Sequence, residues 1–431
     1  MKRFIFLFFC FRLCAVPFTG VVLDPPISNK KELDKELSSF VGKNLDKATI
    51  LQIKEKILKF YQKQGRPFVD IKVPPQKIQD GILLCAISEK VLGEVSGSDE
   101  LLGKLHVEQD APINIKELSQ DVDWINQNPF RKVSAILSPS NEKINLSFRV
   151  DEKQPVKVFS GFSGDSFVGG VVGALPYGQI ISYQGSYCPF KNSSFSHNIQ
   201  YELPLPKRSS LNFSGGYTQR RSLVDAKTIS LGLRYKWSQF SFGVYGKQML
   251  LHFLSEEAAF LMQFVLGYEL KLDKRWLFSA ELHYLPPSIH TEEILLYASQ
   301  NNLLAKISFE GNVDLPFGLL WKTKCIAQGA IQPLPISEQL GIGGYSTVRG
   351  YMERICGGDQ GVVVNSELIF SKWGGQILCF FDYGYAGGSL ASIGSGLRYW
   401  VDPYFTLKFD LGVPIIQRNG LGFHFSALFS Y

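Results

Sequence analysis

The sequence predicts two small α+β domains followed by a transmembrane antiparallel β-barrel of about sixteen strands. Three observations carry that expectation. The chain starts with the basic, then apolar segment of an exported protein; a helix and strand pattern of about sixty residues occurs twice before residue 154; and two-residue alternation with an aromatic-rich apolar face runs from there to the C-terminus. The domain plan is 1–20 as an export signal, 21–90 and 91–154 as the α+β domains, and 155–431 as the barrel, with a long inward-folded loop at about 329–360.

The export signal rests on Lys2 and Arg3 ahead of the apolar stretch Phe4–Phe11, with Thr19 and Gly20 as its small-residue exit. Cleavage is expected between Ala15 and Gly20, and Leu13 before Cys14 argues against a lipid anchor. The apolar stretch is too short to cross about 30 Å of hydrocarbon, and beyond residue 20 no apolar run reaches the roughly 18 residues of a spanning helix. In a membrane, this chain is therefore a barrel. Its 431 residues hold about three units of ordinary domain size. The 40 glycines and 13% aromatic residues fit strands with girdles better than helical bundles.

A net charge of +6 is spread along the chain with no arginine-rich run, so no nucleic-acid partner is implied. Five cysteines remain after processing (Cys85, Cys188, Cys325, Cys356 and Cys379) without CxxC spacing, which suggests neither a zinc site nor a full disulfide framework. The six histidines show no HExxH, and there is no GxSxG elbow. Ser196 and His197 are neighbours on one strand and so point to opposite faces. No enzyme activity, metal or cofactor is expected.

In the first repeat, Ile50, Ile53, Ile57 and Tyr61 recur at helical spacing, Gly65 stands where a C-cap belongs, and Phe68–Val73 and Gly81–Ile87 read as strands. In the second, Val91–Gly97 reads as a strand, Ile115, Leu118, Val122 and Ile125 form one helix face, and Lys132–Leu137 and Lys143–Val150 pair. From Lys157 alternation takes over: Ile229, Leu231, Leu233, Tyr235 and Trp237 point one way, and Thr228, Ser230, Gly232, Arg234 and Lys236 the other. Similar aromatic-rich faces recur on nearly every strand, as a lipid-facing surface requires; a soluble two-sheet sandwich is the alternative. Eleven candidate strands lie between residues 157 and 328 and five between 361 and 431. The last alternates strictly through Phe429 to Tyr431, which resembles the terminal recognition signal of bacterial outer-membrane barrels.

Between the two strand groups, Gly341-Ile-Gly-Gly-Tyr-Ser-Thr-Val-Arg-Gly-Tyr351, centred on Val348, Arg349, Gly350 and Tyr351, resembles the sixth-loop motif of the superfamily that holds barrel-assembly factors and two-partner secretion transporters. Gly358–Glu367 resembles the strand after that loop. Phe380-Phe-Asp-Tyr-Gly384 resembles the family's FxDxG strand, with Phe380 and Gly384 at its ends, and Gly394–Arg398 with Leu411–Pro414 resembles the penultimate strands. The segment with Tyr61, Gly65, Pro75, Gln76 and Gly81 is similar to the polypeptide-transport-associated (POTRA) domain of secretion transporters, and Pro112–Leu118 with Asn126–Pro129 to a second such domain. The family's N-terminal plug helix has only a handful of residues available here, so no plug from that segment is expected.

The resemblance to the haemolysin activator/secretion branch implies an outer-membrane pore with periplasmic POTRA domains. Its implied partners are an unfolded secreted protein, outer-membrane lipid and the barrel assembly machinery that inserts the chain. An insertase for other barrels and a passive porin are the alternatives. Alternation turns Glu367 and Asp382 inward on neighbouring strands, where a tucked-in loop brings Arg349. Such a pair at about 4 Å is worth on the order of 4 kcal/mol at an effective dielectric near 20, against roughly 0 to 1 when exposed.

Overall fold

The computed structural model describes residues 16–431 except 28, 79, 141–142, 164–165, 190–193, 221–224, 253–255, 273–274, 288, 291–300, 336, 373, 402–404, 417–421 and 431. The chain divides between Glu152 and Lys153 into two compact units.

The first unit holds two domains of one topology. Domain one runs β1 (Gly20–Asp24), α1 (Lys30–Leu37), α2 (Lys47–Lys63), β2 (Val69–Lys72) and β3 (Ile82–Glu89), with sheet order β1-β3-β2, β1 parallel and β2 antiparallel to β3. Domain two runs β4 (Val91–Ser96), α3 (Asp99–Leu102), α4 (Ile115–Ile125), β5 (Arg131–Ser140) and β6 (Lys143–Glu152), ordered β4-β6-β5 in the same sense. The helices start where capping chemistry places them. Asp46 accepts from the Thr49 amide at 2.7 Å, and Asn114 accepts from the amides of Lys116 and Glu117 at 3.1 and 3.3 Å. Ile53, Ile57 and Tyr61 then turn one face of α2 into the core.

β1 is an addition to the sequence reading, which starts domain one with helices. Phe18, only 1% exposed, belongs to the same core, and Thr19 and Gly20, the predicted signal exit, lie within this fold: the Thr19 amide donates to the Gly81 carbonyl at 2.9 Å. The rest of that signal, residues 1–15, lies outside the described residues.

The POTRA-motif residues are placed as follows. Gly65 has φ +85°, and a Cβ there would stand 2.3 Å from Asn114 Oδ1. The Gly65 carbonyl accepts from the Ile115 amide at 2.8 Å. It therefore does more than end α2: it lets the start of α4 sit directly on the end of α2. Gln76 extends the sheet with its side chain, since its Nε2 donates to the Leu84 carbonyl at 2.7 Å and its Oε1 accepts from the Leu84 amide at 2.9 Å. Those are the two bonds a further residue of β2 would have made. Pro75 is exposed beside it, and Gly81 turns into β3 with φ +73°.

The second unit is a closed antiparallel barrel of sixteen strands, from Val156–Ser163 to Gly422–Ser430, plus the two-residue piece Ile289–His290. Eleven strands precede the long loop and five follow it. A single sheet wrapped on itself excludes the two-sheet sandwich. Each strand pairs with its sequence neighbour, and the last closes on the first through five residue pairs, Ser426–Ser163 to Ser430–Phe159. Closure satisfies the backbone amides that hydrocarbon cannot. Leu231, Phe242, Phe264, Leu282, Ile307 and Leu397 are exposed on the outer wall. Phe429 is exposed there too, against Phe405, while Tyr431 lies outside the described residues.

Cys85 is fully buried at the centre of domain one, and burial pushes its thiol up to about 11. At pH 8, iodoacetamide should leave Cys85 unmodified in the folded protein and label it fully in denaturant. Peptide mass mapping checks this, and fast labelling without denaturant would show that domain one is not packed around β1.

Candidate functional site

The loop leaves the eleventh barrel strand, Leu319–Ala330, and returns to the twelfth, Gly361–Lys372. Between them it forms a short hairpin, Leu340–Ile342 against Cys356–Gly358, and a tight turn that carries Val348 to Tyr351. All four residues of that motif are buried or nearly so; Arg349 is 4% exposed.

The thirteenth strand, Gly375–Tyr385, receives it. Arg349 Nε donates to Asp382 Oδ2 at 2.7 Å, Nη2 to Oδ1 at 2.8 Å, and the Arg349 amide to Oδ2 at 3.1 Å. Asn365 Nδ2 completes the shell of Asp382 at 2.8 Å. Arg349 Nη1 donates to Glu367 Oε1 at 2.6 Å. The guanidinium lies over the Phe380 ring with its carbon 3.6 Å from the centroid, so a cation–π contact closes the remaining side. Alternation puts Phe380, Asp382 and Gly384 on the inner face, and each has a distinct part: floor, anion and clearance. A Cβ at Gly384 would stand 2.8 Å from Val348 Cγ2.

Two inward groups outside the sequence-predicted set, Asp410 and His424, join the site. Asp410, fully buried on the fifteenth strand (Phe405–Pro414), accepts both terminal nitrogens of Arg398 at 2.6 and 2.8 Å and lies 3.7 Å from Arg349 Nη1. His424, on the last strand, accepts the Gly350 amide through Nε2 at 3.0 Å. Alternation marks both positions as inward, because Phe409, Leu411, Phe423 and Phe425 read outward in the sequence; what alternation lacks is the distance from the loop. Tyr351 donates its hydroxyl to the carbonyls of Ala391 and Ile416. Gly350, at φ +94°, touches the backbones of Gly412 and Gly422, an approach that no side chain permits.

Below this polar layer, Ile342, Val348, Tyr351, Val363, Ala386 and Leu390 form an apolar cluster. The tip is thus held on strands twelve to sixteen by charge, by a ring and by apolar packing. Removing one partner from such a buried ion-pair network costs about 3 to 5 kcal/mol, because the remaining charges stay desolvated. Elsewhere, Ser196 and His197 take different partners, Ser186 Oγ and the Tyr183 hydroxyl, both at 2.7 Å.

The family model of the haemolysin secretion/activation protein ShlB/FhaC/HecB matches residues 199–399, which include the loop motif and the strand bearing Asp382. Among solved structures, CdiB from Acinetobacter baumannii superposes with a TM-score of 0.73 at 18% identity, covering 96% of this chain and 90% of that one. CdiB from Escherichia coli gives 0.74 at 15% identity with the same coverages. BamA from Haemophilus ducreyi lacking POTRA domains 1–3 gives 0.53 at 14% identity, covering 96% of this chain and 100% of that one. No curated protein matches by sequence.

Gly384→Val should expel the motif while leaving the barrel closed. Trypsin should then cut after Arg349 at least about tenfold faster, the change given by a loss of some 1.4 kcal/mol in the docked equilibrium. An unchanged cleavage rate would refute the clearance role. Over residues 199–399 this chain matches the haemolysin secretion/activation family ShlB/FhaC/HecB, and its fold is that of the two CdiB structures.

Proposed function

We propose that this protein passes an unfolded partner protein through its barrel to the cell surface, after the two periplasmic POTRA-like domains have bound it. The observation that carries the reading is Arg349: a buried arginine on a loop inside a closed outer-membrane barrel, held by three carboxylates of the wall. A loop held by a polar network detaches whole when its charges are offered other partners or water, whereas wall strands cannot leave without breaking the barrel. The loop is therefore the movable part, and its displacement clears the lumen.

The POTRA-like domains supply recognition that tolerates varied cargo. In each sheet the central strand is covered on both sides, and the outer strands, β1 and β2 or β4 and β5, each present an edge. An extended polypeptide adds to such an edge through main-chain hydrogen bonds, which read conformation rather than sequence. The work of passage comes from binding and folding outside, without nucleotide. Lipid around the apolar wall and the assembly machinery that inserts the barrel are the further partners. The insertase reading has less support, since the likeness to BamA is lower than that to the two CdiB structures.

An exported protein encoded beside this chain is the test cargo. Co-expression should deliver it to the medium, and Arg349→Ala, which leaves the wall carboxylates buried without their cation and the loop without its one seated position in the lumen, should lower its release by roughly an order of magnitude, the effect of about 1.4 kcal/mol on a coupled step. Heat-modifiable mobility on gels checks that the variant barrel is inserted. Undiminished release from an inserted variant would sink the clamp, and cargo retained in the periplasm by the unmodified protein would sink the transport reading.

A further inference from the structure

The loop carries a second buried charge that the site around Arg349 does not use. Glu338 lies near the other end of the loop and is 5% exposed. Its carboxylate is bridged by Lys247 Nζ, from the seventh barrel strand, Phe240–His252. The backbone beside it is fixed as well: Gln328 Nε2 donates to the Glu338 carbonyl at 2.9 Å, and the Glu338 amide donates to the Pro335 carbonyl at 2.8 Å. A carboxylate this enclosed is stable only while its cation stays in place.

The two loop charges face opposite walls. Glu338 meets Lys247 on strand seven, whereas Arg349 meets carboxylates on strands twelve, thirteen and fifteen. Neither end of the loop fits the other's place, because each would then meet its own sign. Four residues before Glu338, Leu334 is pinned by apolar contact with Leu285, Leu304 and Ala330, and its amide donates to Asp359 Oδ1 at 2.8 Å, which ties the two ends of the loop together.

We infer that Glu338 and Lys247 form a second latch, of polarity opposite to the Arg349 clamp, and that the loop clears the channel only when both are released. The two latches fasten non-adjacent parts of the wall, so a strand passing through must displace one after the other. This deepens the proposed function: it rests on the barrel being a channel closed by the loop, and is independent of the identity of the cargo.

Planar-bilayer recording of the full-length protein tests it, with no cargo present. Lys247→Glu and Glu338→Lys should each raise the fraction of time open by roughly tenfold, as expected when one member of a buried pair is reversed. The double exchange, Lys247→Glu with Glu338→Lys, should return it to near the native value. A role confined to folding would not produce that rescue in barrels that insert and show normal heat-modifiability. Single exchanges that leave the open fraction unchanged, or a double exchange no better than either single one, overturn the second latch. Secretion of cargo is read separately, so this result and the failure of the transport reading are distinguishable.

Discussion

A guanidinium taken out of water needs its anions already in position, and the arrangement of the C-terminal third of this barrel follows from that need. Arg349 is surrounded by Asp382, Glu367 and Asp410, which come from three strands, and it rests on the ring of Phe380. None of the three carboxylates is stable at that depth alone, and neither is the arginine. Each therefore holds the others to one geometry, which selects one position for the loop. Asn365 and Arg398 serve the same end: Asn365 adds a donor to Asp382 Oδ1, which Arg349 shares, and Arg398 takes both oxygens of Asp410.

The backbone had to be cleared for that contact to form. Gly350 lies against Gly412 and Gly422, and Gly384 leaves room for Val348. Small residues on wall and loop let two main chains approach to a distance at which Arg349 reaches Asp382 with its amide as well as its side chain. The result is a strong but localised attachment. It is reversible as a unit, since it is built on a loop and not on the hydrogen-bonded cylinder around it.

That cylinder has its own constraint. In hydrocarbon every amide must be paired, so the sheet closes, and alternation then sorts side chains between lipid and lumen without further instruction. The last strand closes on the first and also carries His424, which takes the Gly350 amide. The loop tip is thereby tied to the strand at the closure. In the other unit the same economy appears on a smaller scale: Gln76 substitutes its side-chain amide for a missing strand residue, and Gly65 joins two domains by having no side chain.

Alternation, caps and turn glycines are local properties, written within a few residues, and for that reason the sixteen strands in groups of eleven and five, the inward residues of the strands flanking the loop's return, and the helix faces of both small domains were legible without the fold. It also marked the loop motif and the FxDxG strand by their residues. The strand Gly20–Asp24 escaped, because its partner, β3, lies some sixty residues away and its start overlaps the segment read as an export signal. Asp410, His424 and the Glu338 to Lys247 pair escaped for a related reason. The inward direction of Asp410, His424 and Lys247 follows from alternation, whereas Glu338 lies on the loop and has none; the neighbours of all four are set by where a closed sheet places strands far apart in sequence and by the path of the loop across the lumen, which no local pattern encodes.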